Sequence, residues 1–99
     1  MSFQGRIRTF YRHESSARKG EEWAARKVDE ILERVAAGQE VLPNLGQGRS
    51  KIYRAAYRVR VIAQGKLEQN LAAHERVFWT SAADEAAAIL ADVMPGGSR

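Results

Sequence analysis

The chain contains no cysteine, which removes disulfide frameworks and thiolate metal sites and accords with a reducing compartment. No apolar run approaches the roughly 18 residues needed to cross a bilayer. The opening Met1-Ser2-Phe3-Gln4-Gly5-Arg6 lacks the apolar core of an export signal, so a cytoplasmic protein with no membrane partner is expected. Two histidines are present, His13 and His74, without the spacing of a zinc-binding helix. Each precedes a glutamate, but adjacent residues on a strand face opposite ways and no nucleophile accompanies them. Neither catalysis nor a cofactor or metal is therefore expected. Gly46-Gln47-Gly48-Arg49-Ser50-Lys51 misses the spacing of a phosphate-binding P-loop, although its backbone amides with Arg49 and Lys51 would suit a phosphate.

What is present is ordinary globular composition over 99 residues, 44% hydrophobic and 28% charged, enough for one core. Arginine outnumbers lysine 12 to 4 and alanine occurs 16 times, as in the proteins of a GC-rich bacterium or its phage. The net charge of +4 is unevenly spread. Residues 1–20 carry a net +4, residues 21–47 a net −3, residues 48–66 a net +6 with no acidic side chain, and residues 67–99 a net −3.

The two basic segments coincide with alternating patterns. In residues 3–12, Phe3, Ile7 and Tyr11 oppose Arg6, Arg8, Phe10 and Arg12, which predicts a first strand. From Lys51 to Ala63, Tyr53, Tyr57, Val59, Val61 and Ala63 oppose Arg54, Arg58, Arg60 and Ile62, which predicts a second. Arg76 to Thr80 reads as a third. Between the first two, Ala17, Ala24, Val28, Ile31, Leu32 and Val35 share a helical face, with Gly38 placed to end the helix. Gly20 is a blemish that moves the expected helix start to about Glu21. A second helix is predicted from Ser81 to about Met94, opened by Ser81-Ala82-Ala83-Asp84 and burying Ala83, Ala86, Ala87, Leu90, Val93 and Met94.

The expected fold is therefore α+β. Residues 1–94 form a two-layer domain of order β-α-β-β-α, with a three-stranded, mainly antiparallel sheet and both helices on one face. Residues 95–99 form a flexible tail. The bare sheet face would gather Arg6, Arg8, Arg12, Arg54, Arg58, Arg60 and Arg76, with Arg49 and Lys51 at its rim. Guanidinium forks suit phosphates, and Phe10 and Phe78 would stack bases, favouring single-stranded over duplex nucleic acid.

The strand–strand–helix order of Tyr57–Met94 resembles the end of a double-stranded-RNA-binding domain. That family opens its last helix with lysines, where this chain has Ser81-Ala82-Ala83-Asp84-Glu85. The function expected first is a small non-catalytic nucleic-acid-binding accessory protein. The alternative is a protein-interaction module or inhibitor, of the kind a phage or mobile element encodes to dock on a host complex. There Trp23 would serve as an interface anchor, unless the connector or first strand covers it. A homodimer through an uncovered sheet face or edge belongs to that class. The bland competitor is a solvated sheet face.

Overall fold

The computed structural model describes the backbone of residues 2–46 and 48–93, and the side chains of residues 14–46 and 48–93. Among them are three helices and no strand: α1 (Ser2–Ala36), α2 (Lys51–Leu67) and α3 (Ala73–Val93), each packed against the other two. The expected α+β sheet is absent, and the resemblance to a double-stranded-RNA-binding domain lapses with its strands. The expected tail, residues 95–99, and the expected core residue Met94 lie outside the described residues.

All three expected strands are helical, for related reasons. Phe3, Ile7 and Tyr11 are spaced by four, which fits a helical stripe as well as one side of a strand. Their segment simply continues into the expected helix. In α2 the buried residues are Ala55, Ala56, Val59 and Ala63, a helical spacing, while Tyr57 and Val61 of the expected strand face are 37% and 49% exposed. Adjacent buried residues such as Ala55 and Ala56 are incompatible with a one-sided strand, and alanine is the best helix former. Ser50 caps the helix, its Oγ accepting from the Tyr53 N–H at 3.1 Å. The third expected strand is the start of α3. There the Glu75 carboxylate accepts from the Ala72 N–H at 2.9 Å, half of a capping box nine residues before the expected one.

The first helix keeps its expected core face, with Ala24, Val28 and Ile31 buried and Leu32 and Val35 packed beside them. Gly38 ends it as expected. Its N–H donates to the Val35 carbonyl at 3.0 Å and the Gln39 N–H to that of Arg34 at 2.8 Å, with φ of 75° at Gly38. In α3 the buried residues are Ala82, Ala86 and Leu90, whereas Ala83, Ala87 and Val93 are half-buried.

Six of the eleven buried hydrophobic residues among those described are alanine, and only Ile31 and Val59 are large and fully buried. Such a core is tight because the helices lie close together, since interaxial distance follows side-chain size. Two helix backbones come close at Gly20, inside α1 and buried. A Cβ there would collide with the Phe78 carbonyl oxygen and lie 3.2 Å from the Ala82 nitrogen, both backbone atoms of α3. One turn further, Trp23 packs edge-on against Trp79 (centroids 4.8 Å apart) and lies 6.2 Å from Phe78.

Because α3 backbone cannot yield locally, Gly20→Ala is expected to destabilise the protein by about 3 kcal/mol, the upper range for overpacking. Gly65→Ala, in α2 with nothing within 4 Å of its added Cβ, is expected to stabilise by about 0.5–1 kcal/mol. Paired thermal melts check both. An unchanged midpoint for Gly20→Ala would refute the backbone contact.

Candidate interaction face

Among the described residues there is no sheet to carry the expected basic sheet face, and several of its members serve the fold. Arg54 donates from Nε to the Pro43 carbonyl at 2.8 Å and from a terminal nitrogen to that of Leu42 at 3.4 Å. Arg58 donates to Glu40 at 2.7 Å. The other Glu40 oxygen accepts from Arg34 Nε at 2.9 Å, and Arg34 also meets Glu30 at 3.0 Å. One carboxylate thus joins the end of α1, the connector and α2. Gly38 makes this possible by turning the chain so that Glu40 returns to Arg34.

Arg76 donates toward the carbonyls of Leu67 and Gln69, at 3.3 and 3.5 Å. It supplies charge and donors at the end of α2, where carbonyls lack helical partners. Phe78 is half-buried and packs edge-on against Trp79 with centroids 4.8 Å apart. Trp23 is half-buried, its ring against Phe78 and Trp79 of α3. Lys66 lies 5.7 Å over the Trp79 ring and Arg49 lies 4.7 Å over Tyr53. Lys51 is exposed and Arg60 half-buried. Arg6, Arg8, Phe10 and Arg12 sit on α1, and their side chains lie outside the described residues.

The feature sequence reasoning missed is on the outer side of α2, away from Ala55, Ala56, Val59 and Ala63. Arg54, Tyr57, Arg58, Val61 and Ile62, spaced by three and four, share that side. Pro43, Tyr57, Arg58, Val61 and Ile62 line a shallow, largely apolar groove of about 350 Å³. Its floor is α2. Its wall is Pro43, held by the hydrogen bond from Arg54. Val41 of the same connector is 81% exposed. The missed signal was the three–four spacing of Tyr57, Arg58, Val61 and Ile62, which two-residue alternation split between opposite faces.

Among the described residues no group of acidic or histidine side chains is placed to hold a metal, and no helix is long and apolar enough to cross a membrane. No protein-family model, curated protein or solved structure matches the chain.

Glu40's carboxyl is held below the ordinary carboxylate value, first by the hydrogen bond from Arg34 and then by that from Arg58. A lowered folded value contributes stability that is complete at neutral pH and is lost as pH falls through it. Glu30 is shifted the same way by Lys27 and Arg34, but at the surface. Glu40→Gln is expected to lower the melting temperature at pH 7 and to flatten its decline at acid pH. Melts of both proteins from pH 7 to 3 check this; parallel curves would count against the bridge.

Proposed function

We propose that the chain is a non-catalytic protein-interaction module that docks a partner on the outer face of α2. The observation that carries this reading is the apolar groove, where Tyr57 and Val61 are exposed one turn apart beside a fixed guanidinium. A helix that needed only a wet outer face would carry polar residues at those positions. Buried arginine-and-tyrosine contacts beside aliphatic groups are characteristic of protein interfaces.

The expected nucleic-acid surface has less support. Three of its arginines, Arg54, Arg58 and Arg76, donate to groups of the same chain. Phe78 is engaged by other aromatic rings. The net +6 of residues 48–66 still favours an anionic partner, which a protein surface can also be.

The test compares the wild type with Val61→Glu in nuclease-treated capture from a bacterial lysate. Val61 is 49% exposed, so its replacement is expected to change stability by no more than about 0.5 kcal/mol. The expected outcome is a partner that survives nuclease and is held at least about tenfold less well by Val61→Glu, as for a central interface anchor. Capture abolished by nuclease would return the reading to nucleic acid.

A further inference from the structure

We infer that the occupant of the α2 groove is an acidic amphipathic helix of a partner protein. This rests on the docking role proposed above and names the chemistry of the partner. The form follows from what the face offers. Among the described residues there is no strand, so no sheet edge is present for an extended peptide to pair with. The groove is a side-chain surface, and Tyr57 and Val61 are one helical turn apart. Apolar residues at the same spacing on a second helix can pack between them.

The charge follows from the rim. Lys51, Arg54 and Arg58, spaced by three and four, run along one side of the Tyr57–Val61 strip, and Arg60 follows Val59 on the other. No carboxylate occurs between Gly48 and Lys66. Glu40, which meets Arg58 of the groove lining, is already shared by Arg34 and Arg58. Arg58 uses one terminal nitrogen on Glu40, and a guanidinium has five N–H donors. Donors thus remain for carboxylates of a partner helix. A basic helix would meet like charge along the strip, and a neutral one would leave these groups without counter-charges.

The test titrates the full 99-residue chain, by amide chemical shifts, with a synthetic helix of about 18 residues, long enough to hold helical structure in water. Its apolar face carries leucine at every third and fourth position, and glutamate fills the rest. Controls are a scramble, a version with half the glutamates replaced by glutamine, and a single-stranded RNA oligonucleotide. Saturable shifts centred on Tyr57, Arg58, Val61 and Ile62 are expected. Val61→Glu should weaken binding at least about tenfold. Lys51→Glu, at an exposed position, should weaken it several-fold and reduce its salt dependence.

Equal binding by the scramble or the half-neutral peptide overturns the inference. So does an oligonucleotide that moves the same amides while the peptide is inert, or self-association in sedimentation that Val61→Glu abolishes. If the peptide fails while nuclease-resistant capture through Val61 persists, the acidic helix falls and the docking role stands. If both fail, both readings fall.

Discussion

The arrangement depends on two helix backbones touching at Gly20. No side chain stands between α1 and the Phe78–Ala82 stretch of α3 at that point, so the helices meet at a distance that a methyl group would forbid. A mid-helix glycine costs about 1 kcal/mol in propensity, and here that cost is offset by what proximity permits. One turn on, the rings of Trp23, Phe78 and Trp79 close on one another. Further along, Ala24 from α1 and Ala82 and Ala86 from α3 are wholly excluded from solvent despite their size. An alanine core binds helices firmly only when their axes are close. The glycine and the alanines are therefore parts of one device.

Arginine does a second structural job, fastening the irregular connector between α1 and α2. Residues 40–45 lie outside the helices, and buried or half-buried carbonyls need donors. Arg54 supplies donors to Leu42 and Pro43, and Arg58 and Arg34 grip Glu40 from two helices. Guanidinium suits this work because its planar fork reaches separate acceptors without losing charge. A high count of arginine in a segment thus says little about ligands until its donors have been traced. In this chain, three of the expected phosphate-binding arginines give part of their donors to holding the fold.

Parts of this were legible in sequence and parts were not, and the division has a physical cause. The core stripe of Ala24, Val28 and Ile31 stood out because charged residues fill the other side of that helix, leaving one period that fits. Gly38 stood out because a left-handed residue after a helix needs glycine. In Lys51–Ala63 apolar residues are so dense that both periods find matches, and alternation of tyrosine, valine and arginine outweighed the Ala55-Ala56 pair. The pair was the better guide, since two adjacent buried positions suit a helix and not a half-exposed strand. At the N-terminus the spacing of Phe3, Ile7 and Tyr11 satisfied both patterns equally. In α3, Phe78 and Trp79 drew attention to five residues of what is a 21-residue alanine-rich helix. The groove was hidden by the same error, because the wrong period put Tyr57 and Ile62 on opposite faces.

The groove and the stability of the fold rest on shared contacts. Its wall is Pro43, which stays against α2 through Arg54, and its rim is Arg58, whose position Glu40 fixes. Glu40 is in turn held by Arg34 at the end of α1. A ligand seated on Tyr57 and Val61 would therefore contact elements that are themselves held by the connector, and would favour the state in which the connector is fastened. By linkage, any loosening of the connector weakens the ligand to the same extent that the ligand suppresses the loosening. The ordering that the proposed docking surface would need is thus already present in the chain alone, through ion pairs and carbonyl contacts that also close the fold. Preorganisation of this kind would let a small apolar patch hold the proposed partner, since little further entropy would be lost on engagement.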